Sequence, residues 1–492
     1  MTLASIAVLA AAGSDTRLIE AVKSGNRDTA RSLIAKRVDV NAREADGTTA
    51  LHWAVRGDDP ETVQLLLRAG ANVNASNRYS LSPLALAATN GSAAVMAALL
   101  DAGADANAAA PSGETVLMTA SRTGNPDAVT LLLNRGADVN ARESGFGETA
   151  LMWAAAENHP ETVGLLAARG ADVNLHAKVL EFPRVKVDAA TMVITALPRG
   201  GLTALMYAAR QGALDAARTL VGAGADLNRT DPDGMSAMVI AIINGHYDVA
   251  ALLAESGADP DVADSSGMAA LYALVDMHTL DPLVNRPAPR PTGQVDAIEL
   301  VDALLAHRAN PNAVLRAPLL ARQHNFGDAA LGAGATPLMR AAKNADLALM
   351  RVLLAHGADP NRATRAGMTP LLFAMGPGRR KSAKDTLDAV KACLDAGANV
   401  NATNANGETP LHAAVAQGDG LVRLLSERGA NLEAKDKQGR TPLDVALGVG
   451  APAPQGARGG RGGRGGAGPR DSTVALLREL MDRSPKSAAS PP

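Results

Sequence analysis

One phrase returns along the chain: "GTTALHWAV" at 47, "GETVLMTAS" at 113, "GETALMWAA" at 147 and "GETPLHAAV" at 407. Aligned on the leading glycine, the equivalent positions are 47, 80, 113, 147, 201, 234, 267, 334, 367, 407 and 439, with Ser80 standing once for glycine. Most steps are about 33 residues, the period of a supersecondary unit that cannot bury its own apolar face and must stack on neighbours. The steps from 147 to 201, 267 to 334 and 367 to 407 are longer and read as units carrying insertions. Such an array is quasi-one-dimensional, so the length of the chain does not imply several separate globular domains.

Each unit follows one physical plan. Two residues after the leading position stands a hydroxyl that can accept from an orphaned backbone N–H and start a helix: Thr49, Ser82, Thr115, Thr149, Thr203, Ser236, Thr336, Thr369, Thr409 and Thr441. Pro83, Pro337, Pro370, Pro410 and Pro442 follow at the first helical position, where no N–H is needed. A second helix such as "PETVQLLLRAG" carries Val63, Leu66 and Leu67 on one stripe. It stops at a glycine suited to a left-handed cap: Gly70, Gly103, Gly136, Gly170, Gly224, Gly257, Gly357, Gly397 or Gly429.

"TPLHAA" (409–414), "TALHWA" (49–54) and "GADVN" (136–140, 170–174) resemble the ankyrin repeat family, and the likeness runs over nearly all of 14–492. It implies an all-α ankyrin-repeat solenoid of about twelve helix-turn-helix units, with β-turn fingers and several loop insertions. On this reading 14–46 is an N-terminal capping repeat that lacks the turn and the hydroxyl–proline pair, and 47–448 holds the remaining repeats. The unit at 267–312 departs most, with Ala269 in place of the capping hydroxyl and Arg308 in place of the cap glycine. The long insertions and the Ala/Arg-rich repeats are similar to those of bacterial members.

The resemblance also sorts the insertions. Residues 175–200 and 313–333 fall at the turn edge, and "RVKV" and "TMVIT" alternate as a small β-hairpin would. Residues 281–293 and 376–385 fall between paired helices. So does the Gly/Arg/Pro-rich stretch 449–471, with its three Arg-Gly-Gly triplets; "STVALLRELMD" (472–482) then supplies the last helix before a tail to 492. Arg-Gly-Gly tracts can grip RNA, but this one has no Tyr or Phe interleaved for stacking and reads as a flexible linker. The competing class of function is nucleic-acid binding through this loop, or an enzyme-like role in the insertions.

Composition narrows the function. Lys and Arg number 48 against 50 Asp and Glu, so the basic surplus of a nucleic-acid binder is missing. Aromatic residues are 2% of the chain, too few for a base-stacking platform. No phosphate-binding loop, zinc-protease pair or nucleophile elbow occurs, and no catalytic residue, cofactor, metal or small-molecule substrate is assigned. Among the histidines, the family likeness makes His52 and His412 structural, tying adjacent turns. His307 and His356 precede helix caps, where a cation is favoured. His278 near Asp281 and His324 near Asp328 lack a third orienting group. The single Cys393 reads as a small buried hydrophobe. Asn74, Asn90, Asn228 and Asn401 each head a glycosylation-like triplet, mostly as a by-product of the repeated "VNA". No run is long enough for a membrane span, but "LASIAVLAAA" (3–12) ends in an A-x-A-like pattern before Gly13 and marks 1–13 as a signal peptide for export; the alternative is a cytoplasmic protein with a frayed first helix.

What remains is recognition by a monomer whose partner is another protein. In the family the partner surface is usually the concave face, built from turn tips and first-helix side chains. Carried onto this chain, the residue after the leading position is Leu81, Leu202, Met235, Met268 or Met368, and Tyr79 and Phe146 sit beside that row. An exposed apolar row marks an interface, unless insertions fold over it. Arg56, Arg122, Arg210 and Lys343 recur at one repeat position and would favour an acidic partner, if they are more than a solvated face. Trp53, Trp153, Tyr207 and Phe373 share another position and read as core or groove floor.

Overall fold

The hydroxyls placed two residues after each leading position do begin helices. In the computed structural model, which describes residues 15–181, 185–188, 193–196, 199–279, 290–319, 331–376, 381–449 and 471–483, Ser82 Oγ accepts from the Ala85 N–H at 3.2 Å and Thr115 Oγ1 from that of Met118 at 3.2 Å. The prolines occupy the first turn, as at Pro83 and Pro337. Ala269 takes the same extended backbone without any side-chain bond to the helix. The cap glycines adopt positive φ, and where an arginine takes the glycine's place the backbone is still left-handed, at Arg37 (φ 59°) and Arg308 (φ 70°).

The described residues divide into two compact units. The first lies within Met1–Glu181 and Gly200–Asp231. Its helices are α1 (Arg17–Lys23), α2 (Arg27–Ala35), α3 (Ala50–Arg56), α4 (Pro60–Arg68), α5 (Pro83–Asn90), α6 (Ala93–Asp101), α7 (Val116–Thr123), α8 (Pro126–Asn134), α9 (Ala150–Ala156), α10 (Pro160–Ala168), α11 (Ala204–Gln211) and α12 (Leu214–Gly222). The second lies within Phe182–Arg199 and Pro232–Pro492. It holds β1 (Val185–Asp188) and β2 (Val193–Ala196), then α13 (Ala237–Ile243), α14 (Tyr247–Glu255), α15 (Ala270–His278), α16 (Ala297–Ala306), α17 (Pro337–Asn344), α18 (Leu347–Ala355), α19 (Pro370–Met375), α20 (Ala383–Asp395), α21 (Pro410–Ala414), α22 (Asp419–Glu427), α23 (Pro442–Ala446) and α24 (Asp471–Arg483). Odd-numbered helices are the first of each pair and even-numbered the second. Within each unit a helix packs on its own partner and on the like helix of the next repeat, so both units are all-α repeat solenoids. Leu51, Ala54 and Val55 of α3 and Val63 and Leu66 of α4 are fully buried this way. Burial of a side chain of that size is worth about 1.5–3 kcal/mol.

Polar ladders reinforce the stack. The asparagine of each "VN" ending reaches the next repeat. Asn74 donates to Gly103 O at 3.2 Å and accepts from Asp105 N at 3.3 Å, and Asn107 and Asn140 repeat the pattern. In the second unit Asn312, Asn361 and Asn401 do the same. The glycosylation-like triplets at Asn74 and Asn401 thus mark structural amides. Asn90 is likewise engaged, donating to Val55 O at 2.8 Å. Turn fingers are joined by backbone bonds, as from Arg78 N to Asp46 O (2.7 Å) and Ser144 N to Ser112 O (2.6 Å).

The expected hairpin forms, β1 pairing antiparallel with β2 in the register Val185↔Ala196 to Asp188↔Val193. The near end of the 313–333 insertion folds back on the previous finger, with Arg316 N donating to Ser266 O at 2.8 Å. Residues 383–385, read as insertion, instead form the first turn of α20, because Ser382 and Asp385 make a reciprocal capping box. Residues 1–13, 281–289, 320–330, 377–380, 450–470 and 484–492, with the signal-peptide, Arg-Gly-Gly and tail readings and the His324–Asp328 pair, lie outside the described residues.

Candidate functional site

Three large apolar side chains stand out at the finger tips of the first unit. Tyr79 is 60% exposed, Phe146 56% and Leu81 38%. Their fingers are held rigidly. Asn77 Oδ1 accepts from Tyr79 N (3.0 Å) and Leu81 N (3.1 Å), and the Arg78 guanidinium lies 4.8 Å over the Tyr79 ring. The Glu143 carboxylate, itself buried, gathers the N–H groups of Gly145 (2.5 Å), Phe146 (2.6 Å) and Glu148 (3.0 Å). Burial alone would raise the Glu143 pKa, but these donors outweigh it and hold the group below its ordinary value. The finger is therefore built around an internal anion that presents Phe146 outward.

The rest of the predicted apolar row divides. Met235 and Met368 are half-buried. Leu202 and Met268 are buried, at 9% and 4% exposure, and leave the candidate surface. Segments of the insertions cover these turns: Ala177 N bonds to Leu202 O (2.9 Å), and Arg316 N bonds to Ser266 O just before Met268.

Behind the fingers, the first helices of the same unit carry rings, acids and guanidinium groups in two clusters, one on α3 and one across α7, α9 and α11, with Leu86 and Thr89 of α5 at the equivalent positions between them. Trp53 on α3 donates its indole N–H to Glu44 Oε2 at 2.6 Å, and Lys23 Nζ and Arg56 Cζ lie 4.5 and 5.2 Å from its centroid. Arg122 of α7 reaches across a repeat to lie 5.0 Å over Trp153 of α9. The Trp153 N–H bonds to Glu148 Oε2 at 2.8 Å, and Glu148 Oε1 accepts from the Tyr207 hydroxyl of α11. Arg210 lies 4.8 Å over the Tyr207 ring. Burial, then the Glu148 carboxylate, pushes the Tyr207 phenol upward, so it stays a donor. Arg56, Arg122 and Arg210 are exposed, whereas Tyr207 is buried and Trp53 and Trp153 half-buried. The aromatic floor and the basic stripe, read separately in the sequence, thus meet in each cluster. The acids that complete the clusters are Glu44 and Glu148, the latter in the recurring "GET".

In the second unit these repeat positions do other work. Arg340, at the place of Trp53, and Asp276, at the place of Arg56, form a buried ion pair between α17 and α15 (Nε–Oδ1, 2.7 Å). Phe373 is core. Lys343 is half-buried, and its charge adds to burial in lowering Lys381 to about 8.

His52 and His412 are structural. His52 Nδ1 accepts from Thr49 N (3.2 Å), which leaves Nε2 to donate to Leu81 O (3.0 Å). Burial lowers its pKa. His412 repeats the geometry between Thr409 and Arg440 O. His278 pairs with Asp346 across to α18 (3.3 Å), a partner distant in sequence, and that hydrogen bond raises its pKa against the effect of burial. Cys393 is buried and its thiol pushed up to about 12. Among the described residues no cluster of three His, Cys, Asp or Glu side chains could hold a metal, and no helix is long and apolar enough to cross a membrane.

Stacked helix pairs, finger turns and an amide ladder define a helical-repeat protein. The chain belongs to the ankyrin repeat family: a three-copy ankyrin model matches 18–110, 84–177, 187–264 and 381–452, and a many-copy ankyrin model matches 151–221 and 338–384. A human protein, ankyrin repeat and SOCS box protein 16, is 40% identical over 100 residues, which cover 20% of this chain and 20% of that protein. Ankyrin repeats are generally protein–protein interaction modules and generally non-catalytic.

Proposed function

We propose that this chain is a non-catalytic scaffold that binds another protein on the finger tips and first-helix face of its first unit. One observation carries the reading: Tyr79, Leu81 and Phe146 stand exposed on fingers fixed by hydrogen bonds, where an apolar side chain gains nothing from water. Fixed aromatic side chains make efficient interface anchors, because little conformational entropy is lost when they are covered. Neighbouring repeats each add a few contacts, and the protein acts as a monomer.

The test is affinity capture from native cell extract with the wild-type chain and with a Tyr79→Asp/Phe146→Asp variant whose melting curve is unchanged. The reading expects a partner retained by the wild type and lost by the variant. Equal retention by both contradicts it. Salt-sensitive RNA capture that disappears on deleting 455–470 would favour the competing nucleic-acid reading. Export through residues 1–13 belongs to the same proposal. A mature N-terminus at Gly13 supports it, and a retained segment in the native cytoplasm refutes it.

A further inference from the structure

The near-neutral total charge conceals a division along the chain. From Arg308 to the end, Lys and Arg number 25 against 15 Asp and Glu, whereas residues 1–307 hold 23 against 35. Such asymmetry points to contact with a nucleic acid or an anionic surface. Part of the excess stands on the finger tips of the second unit. Arg316 N donates to Ser266 O (2.8 Å), Ala405 N to Ala366 O (2.7 Å) and Lys437 N to Asn406 O (2.8 Å), so Arg316, Ala405 and Lys437 hold one structural position on successive tips. Arg365, two residues before Gly367 as Ala405 is before Gly407, takes that position on the finger between Arg316 and Ala405. Arg362 lies on the same finger. These four cations are exposed, and none of their side chains has a hydrogen bond or ion pair with a described residue. The acids nearby do not neutralise them. Asp436 is buried against Arg440 (2.8 Å), Glu408 is half-buried and accepts from Asn404 Nδ2 (2.8 Å), and Glu433 alone is exposed at the base of the last finger.

We infer that this finger edge of the second unit, separate from the partner face proposed above, binds the phosphate backbone of a duplex nucleic acid through Arg316, Arg362, Arg365 and Lys437, without reading base sequence. Adjacent repeats stand about 8–10 Å apart, so the row from Arg316 to Lys437 runs over roughly 24–30 Å. A duplex carries a charge about every 1.7 Å of its axis, so the row meets phosphates in any register. It releases condensed counterions as it binds, a gain that an acidic peptide with separate, hydrated carboxylates does not offer. Four cations on an anionic bilayer would hold only at about millimolar affinity. Among the described residues no large apolar side chain is exposed from 232 to 446, so the edge has neither a wedge for a membrane nor an anchor for a protein. It has no exposed ring for unpaired bases either, which favours a duplex, whose bases are already stacked, over a single strand.

The test is fluorescence anisotropy of a labelled duplex DNA of about 20 base pairs, roughly two helical turns, titrated with the full chain at several salt concentrations. The expected dissociation constant is about 10⁻⁵ M near physiological salt, with a slope of log K on log salt of about −3.5 or steeper. An Arg316→Gln/Arg365→Gln/Lys437→Gln variant is expected to bind at least about tenfold more weakly, with a slope shallower by about three. These side chains are exposed, and an unchanged melting curve verifies the fold. Binding that the three substitutions leave unmoved overturns the inference, and its loss on deleting 455–470 instead would assign the contact to the Arg-Gly-Gly loop. Tighter binding of an oligouridylate, of a Glu/Ser peptide or of equimolar phosphatidylserine/phosphatidylcholine vesicles overturns it as well. A partner captured through Tyr79 and Phe146 is expected to be held equally by the triple variant, so this inference and the scaffold reading fail separately.

Discussion

The two units use one repeat plan for opposite ends. Six and nine residues after the leading glycine, the first unit has Trp53 with Arg56 in one repeat and Tyr207 with Arg210 in another, each guanidinium lying over a ring. At the same two positions in successive repeats, the second unit sets Asp276 of α15 against Arg340 of α17, and there the charges are sealed. The backbone at these positions is equally helical in both. The side chains alone turn a surface into a seam. In a repeat protein, a position on the recognition face is therefore defined by its neighbours on the adjoining helices as much as by its register.

The contrast can be broken most sharply at the seam. Arg340→Met leaves Asp276 buried without its main partner, and is expected to cost about 3–5 kcal/mol in urea denaturation. The paired change Asp276→Leu/Arg340→Met should recover most of that loss, because two apolar side chains replace a desolvated ion pair. On the surface side, Tyr207→Phe removes a single hydrogen bond to the Glu148 carboxylate and is expected to cost about 1.5–3 kcal/mol, with the helices unchanged by circular dichroism.

Acidity should separate the units by sign. His52 in the first unit has a depressed pKa, so its folded state takes up a proton less readily than the unfolded chain. Its contribution is present above the unfolded value of about 6.5 and is lost as pH falls through the lower folded value. His278 in the second unit has a raised pKa, from its bond to Asp346. Its contribution is complete below about 6.5 and is lost as pH rises through the higher folded value. Hydrogen exchange followed from pH 7.5 to pH 5.5 should show protection falling around His52 and rising around His278. His52→Gln and His278→Gln should each flatten their own region.

The smallest expected effects lie at the irregular repeat. Asp261 stands where the ladder uses asparagine, accepting from Asn310 N at 2.9 Å but lacking an amide to donate onward. Asp261→Asn restores the donor, and Arg308→Gly relieves the left-handed backbone. Each is expected to stabilise by about 0.5–1 kcal/mol, read as a rise in denaturation midpoint.

These particulars show how far the sequence carried the reading. Helix starts and stops were legible because a hydroxyl, proline or glycine acts on its own backbone within a turn. His52 and His412 were placed through the family motif. That insertions cover part of the apolar row was one of the two readings of the sequence; that they bury Leu202 and Met268 in particular was not legible, since it depends on how they fold back over distant turns. His278 pairs with Asp346 because the helix pair brings together residues far apart in sequence. The "VN" asparagines looked like a by-product of repetition, yet their regular spacing is the trace of an inter-repeat ladder. Glu44 left no signal, and Glu148, though it stands in the recurring "GET", gave no sign of its role, because an acid beside a turn is ordinary until a tryptophan N–H is found pointing at it.

The central claim is that the first unit carries the recognition face while the equivalent positions of the second are spent on cohesion. Hydroxyl-radical footprinting of the captured complex tests it directly. The account predicts protection of Tyr79, Phe146, Trp53 and Trp153 on binding, with residues 232–449 unchanged. Protection confined to 232–449, with those four rings as reactive as in the free chain, would contradict it.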